Sequence, residues 1–142
     1  MSGLSASATR MEAVRESLAA FCPHRKVSRD FLDFAQRDEA DLKKGLLSLI
    51  ADGGSPQGEG LSETFVMDSQ NMAILGQIKL PEGCAPSEVE NAEMAMLDDV
   101  LNWMRSSPEV LDEVVLRRFR QSKQVESPYG WMVLEFSVPG DY

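Results

Sequence analysis

Residues 86–108, PSEVENAEMAMLDDVLNWMRSSP, constrain this chain more than any other stretch. A Ser-Glu-Val-Glu capping box at 87–90 marks a helix start, because those side chains satisfy amides that find no partner within a helix. Val89, Ala92, Met96, Leu97, Val100, Trp103 and Met104 then recur at helical spacing as far as Pro108. The remaining positions include Glu88, Glu90, Asp98 and Asp99, and acids in the first turn suit the helix dipole. A long helix with one apolar face needs a broad apolar partner. One residue breaks that face. At about 100° per residue, Glu93 falls about 40° from Val89, among the apolar positions. An isolated buried carboxylate is costly, so Glu93 is expected to have a basic partner, with Arg117 or Arg118 of the same or a neighbouring subunit as candidates.

The segments around this helix change period from 3.6 to 2. In NMAILGQIKLP, Met72, Ile74, Gly76, Ile78 and Leu80 share one face, with Gln77 and Lys79 on the other. That is a half-buried strand, ended by Pro81. VVLRRFRQSK sets Val114, Leu116, Arg118 and Arg120 against Val115, Arg117 and Phe119. WMVLEFSV sets Met132, Leu134, Phe136 and Val138 against Trp131, Val133, Glu135 and Ser137. Between these two strands, Ser-Pro-Tyr-Gly at 127–130 is a turn sequence.

The first third of the chain is less regular. Thr9 and Glu12 fit a capping box, and Met11, Val14, Leu18, Phe21 and Cys22 follow at helical spacing until Pro23. This predicts a short amphipathic helix whose methionine and phenylalanine are core contacts, preceded by a flexible lead-in over residues 1–8. Residues 26–52 show no clean period, although the run GLLSLIA before Asp52-Gly53-Gly54 favours a strand over a helix. The order is helix, strands, strand, long helix, strand, strand. It predicts a single α+β domain over residues 1–142, with an antiparallel or mixed sheet packed on two helices.

ADGGSPQGEG at 51–60 holds four of the ten glycines. It matches neither glycine-rich phosphate motif, no helix start follows it, and Asp52 and Glu59 would repel an anion. It reads as a mobile loop of about 15 residues between two strands, and loops that long usually have a function or are disordered. Asp52, Gly53, Gly54, Gln57, Glu59 and Leu61 are its candidate partner-binding positions.

The charge balance is 23 acidic to 14 basic residues, net −9. That argues against nucleic-acid binding, which draws on basic contacts to phosphate, but suits a wall past which DNA slides. Two cysteines, Cys22 and Cys84, and one histidine, His24, make neither a disulfide framework nor a structural zinc site. They read as a core cysteine, a loop cysteine and a surface histidine. No serine sits in a nucleophile-elbow motif, so catalysis is not expected. No run approaches the ~20 apolar residues of a membrane span, and the N-terminus lacks a signal peptide, which implies synthesis in the cytosol without a membrane partner. Against this acidic background, Arg117, Arg118, Arg120 and Lys123 fall together, and Arg25, Lys26 and Arg29 form a second group. The first cluster is either a set of solvated charges that protects an edge strand, or a surface that meets the acidic helix of an identical neighbour head to tail. Glu90, Glu93 and Asp98 are the acidic candidates for that contact.

DLKKGLLSLIADGG, ILGQIKLPEG leading into SEVENAEMAMLDDVLNWM, and RRFRQSKQVESPYGWMVLEFSV carry a resemblance that covers most of the chain. Their order and character resemble the tail terminator proteins of long-tailed bacteriophages, the family of minor tail protein U. The resemblance implies a small α+β protein in a ring, a hexamer in that family, at the head-proximal end of the tail tube. It implies three partners: further copies of the chain, the tube protein and a head-completion or connector protein. DNA would pass through the ring without specific binding, and no cofactor, metal or catalytic residue is implied. A head–tail connector or stopper, and a monomeric adaptor that binds a host protein, are the alternatives.

Overall fold

A computed structural model describes residues 5–57 and 66–139, without the side chains of 54–57, 66–70 and 138–139. Helix α1, Ala6–Phe21, begins one turn before the expected capping box, because the Ser5 hydroxyl accepts from the Ala8 amide at 3.1 Å. Ser5 to Thr9 therefore belong to a cap and a helix, and of the expected lead-in only residues 1–4 lie outside the described residues. Met11, Val14 and Leu18 are buried, but Phe21 is exposed, against expectation. It is the last residue of the helix.

Strand β1, Lys26–Ser28, is followed by a 3-10 turn at Phe34–Gln36 and by helix α2, Glu39–Lys44. Each piece is too short to show a period, and α2 is a third helix where two were expected. Strand β2 runs from Leu46 to Gln57 and strand β3 from Val66 to Lys79. Asp52, Gly53, Gly54 and Gln57 therefore continue a strand where a loop was expected, with irregular pairing after Ala51 and after Ser55. Glu59 and Leu61 lie outside the described residues.

Helix α3 spans Pro86–Arg105, capped by the Glu88 carboxylate on the Ala85 amide at 3.4 Å. Strands β4, Val115–Gln121, and β5, Tyr129–Pro139, close the chain, and the Ser127–Pro128 peptide in the turn between them is cis. The sheet order is β1-β2-β3-β5-β4, with β1 parallel to β2 and every other pair antiparallel. The mixed α+β sheet is as expected.

Helices α1 and α3 cover one face of this sheet. Leu47, Leu49, Met72, Ile74, Met132, Leu134 and Phe136 meet Val14, Leu18, Met96, Val100 and Trp103 in one core. The Trp103 indole N–H donates to the Ser17 hydroxyl at 3.0 Å, so the helices are also joined directly. Glycine at 76 lets α3 lie close: a Cβ there would come within 2.9 Å of Met132 Cε and 3.1 Å of Met96 Sδ.

The opposite face is not simply solvated. Residues 29–37 fold across its β2–β3 end, so Ser48 and Gln77 are buried and β3 is covered on both sides there. Arg37 holds that cover down. Its guanidinium donates to the Ser48 hydroxyl at 2.9 Å, to Gln77 Oε1 at 3.2 Å and to the Asp30 carbonyl. Gln77 in turn donates to the Leu32 carbonyl at 2.9 Å. Burial lowers the Arg37 pKa, with partial compensation from Asp30 and Asp41.

Candidate protein-interaction surfaces

Edge strand β4 does not keep the alternation its sequence suggests. Leu116 pairs with Phe136 and Arg118 with Glu135, so Arg117 is an extra residue at a bulge and the faces switch there. Leu116, Phe119 and Gln121 share the helix-facing side with Phe136, Leu134 and Met132, whereas Arg118 and Arg120 lie on the other side with Glu135 and Val133. Arg118 grips Glu135 through both Nε and Nη2, and Arg120 Nε lies 3.8 Å from the same carboxylate. That grip holds the Glu135 carboxyl below the usual carboxylate range and raises Arg118. Among the described residues Arg117 has no ion pair or hydrogen bond and is exposed, between exposed Val115 and Phe119.

The acids expected to oppose these arginines have three different fates. Glu93 is 0% exposed on α3, and its partners are neutral rather than the expected Arg117 or Arg118. Its carboxyl accepts from the Trp131 amide at 2.9 Å, from Gln121 Nε2 at 3.3 Å and from the Ser122 hydroxyl. Gly130 makes room for it, since a Cβ there would sit 2.8 Å from Val89 Cγ1 and 2.9 Å from Glu93 Oε2. Glu93 thus fastens α3 to the base of the β4–β5 hairpin and is not at a surface. Glu90 accepts from Gln124 Nε2 at 2.9 Å. Asp98 is exposed.

The second basic group is largely engaged within the fold. Arg25 donates to Asp99 Oδ2 at 2.6 Å and to the Lys44 carbonyl at 2.9 Å, and Arg29 reaches Glu12 at 3.7 Å. Cys22 is buried, with burial pushing its thiol pKa up; Cys84 is half-buried, and His24 is exposed beside Asp99 at 3.0 Å. Among the described residues no cluster of three His, Cys, Asp or Glu side chains could hold a metal, and no helix is long and apolar enough to cross a membrane.

One surface has no counterpart in the sequence reading. Where the 29–37 cover ends, a groove of about 280 Å³ opens over the sheet between Phe31 and Phe34 on one side and Trp131 and Val133 on the other. Leu75 and Gln77 line it, and Asp33 and Glu126 carry carboxylates at its margin. Phe34 also packs on Tyr129, ring centroids 4.9 Å apart. The sequence signal was present in the DFLDF run, where each of two phenylalanines follows an aspartate and neither period fits.

Fold and surface together define an α+β protein with an arginine-bearing sheet edge and an acid-rimmed aromatic groove. Comparison with protein-family models and with curated proteins finds no match for the chain.

Proposed function

We propose that this chain is a structural virion subunit, a tail terminator. Its copies close head to tail into a ring at the head-proximal end of a phage tail tube. The ring stops tube growth and offers its other face to the head-completion proteins, while DNA passes through. The resemblance in element order suggests this reading, and one observation carries it. In a chain of net charge −9, three exposed arginines, Arg117, Arg118 and Arg120, gather on the edge strand β4, while the exposed Lys26, Lys43 and Lys44 lie towards the opposite edge at β1. A patch of one sign at an edge of an oppositely charged molecule favours contacts between unlike surfaces of identical copies, and such contacts generate rings when the rotation closes. The exposed irregularity at Asp52 and Gly53 is the candidate contact to the tube.

Light scattering of the purified chain, alone and mixed with tail tubes, tests the proposal. A mass several times 15.7 kDa that co-migrates with tubes supports it. A 15.7 kDa species that ignores tubes at every concentration and salt overturns it.

A further inference from the structure

The proposed ring needs a surface that receives the arginine edge, and α3 is a poor one. Glu93 is buried and Glu90 is already bonded to Gln124, which leaves Asp98 as the exposed member of the three expected acids. The groove beside the 29–37 cover has the missing chemistry. Its walls are aromatic, its margin holds Asp33 and Glu126, and among the described residues neither carboxylate is in an ion pair. The Trp131 indole N–H donates to Glu126 Oε1 at 3.4 Å, so acid and ring are held side by side. A guanidinium suits such a place, since it stacks on aromatic faces while its edge donates to carboxylates. At about 280 Å³ the groove lies just under the ~300–1,000 Å³ of small-molecule sites, a size for one inserted side chain.

We propose that Arg117 from the β4 bulge of a second copy inserts into this groove, between Phe31 and Trp131 and against Asp33 and Glu126. The inference rests on the head-to-tail ring and names the contact that closes it. Within one chain the two surfaces are complementary in both charge and polarity. The groove side carries exposed Phe31 (48%) and Leu32 (38%) with acids; the edge carries exposed Val115 (47%) and Phe119 (54%), on opposite faces of β4, with the bulged Arg117 between them. Arg117 is the fitting arginine because among the described residues it has no partner, whereas Glu135 engages Arg118 and lies close to Arg120. In the head-to-tail arrangement each copy's Arg117 enters the next copy's groove, so an arginine and a groove remain on offer at the two ends until the ring closes.

The test is a charge exchange between two variants, Arg117→Glu and the double variant Asp33→Arg/Glu126→Arg, with circular dichroism confirming that each folds. Each alone places like charges together, and the concentration at which copies assemble should rise about tenfold or more. An equimolar mixture should assemble as the natural chain does. The carboxylate introduced at position 117 of the first variant meets the reversed groove of the second, and the unchanged Arg117 of the second meets the natural groove of the first. Folded variants that each assemble normally, or a mixture that stays dissociated, overturn the contact. Natural protein that forms rings through some other surface and still caps tubes would leave the terminator reading standing. Natural protein that is monomeric under all conditions would remove both.

Discussion

Glu93→Leu puts a somewhat larger, branched side chain at the site and deletes both acceptors of a buried carboxyl, leaving three donors behind. Of these, Gln121 is half-buried and can turn to water, and the Ser122 hydroxyl can rotate, although at 4% exposure it finds little to bond. The Trp131 amide cannot move, because its strand is paired on both sides. One stranded buried donor costs about 1–3 kcal/mol, and the partly stranded Ser122 hydroxyl brings the total to about 2–4 kcal/mol. Glu93→Gln is the control. It keeps a carbonyl oxygen for Trp131, and its amide can donate to the Gln121 carbonyl or the Ser122 oxygen, so the loss should stay under about 1.5 kcal/mol. Urea unfolding separates the two variants by midpoint at unchanged slope. A leucine variant as stable as the glutamine variant would refute the view that Glu93 is held for its acceptors, and would make it a space-filler.

Gly130→Ala drives a methyl against Val89 and Glu93, and should cost about 1–3 kcal/mol in the same assay; a loss within about 0.5 kcal/mol, the scatter of surface changes, would show that the helix can retreat. Arg37→Ala removes the charged donor that pins the 29–37 cover, and should cost about 1.5–3 kcal/mol with faster amide exchange over residues 30–36, whereas unchanged exchange would show that the cover holds without it. Glu12, Glu39 and Glu135 have pKa values lowered by hydrogen bonds from Arg15, Lys79 and Arg118 respectively. Their stabilisation is fully present above the ordinary glutamate pKa, about 4.3, and is lost as pH falls through the lower folded values, so the urea midpoint should drop between about pH 5 and strongly acidic buffer. A midpoint flat across that range would contradict it.

The sequence was readable where one element spans many turns or pairs. Helix α3 and strands β3 and β5 show their periods over eight or more residues, and even the misfit Glu93 falls inside the apolar face as its spacing indicates. It was unreadable in two kinds of place. Between Lys26 and Lys44 the elements are three to six residues long and serve to cover the second face of the sheet. That is why β3 looked half-solvated, and why Phe31 and Phe34 looked aperiodic. In β4 a single bulge reverses the alternation after Leu116, which no strict period of two can reveal. Both failures bear on the candidate surfaces. The bulge exposes Arg117, the cover builds the groove, and the partner of Glu93 proved to be a set of neutral donors supplied by the hairpin.

Electron microscopy of tail tubes grown with and without the purified chain tests the central claim most directly. A terminator would leave a ring of density on one end of each tube, absent when the chain is omitted, with growth arrested at that end. Bare ends and unchanged growth at a molar excess of folded protein would contradict it.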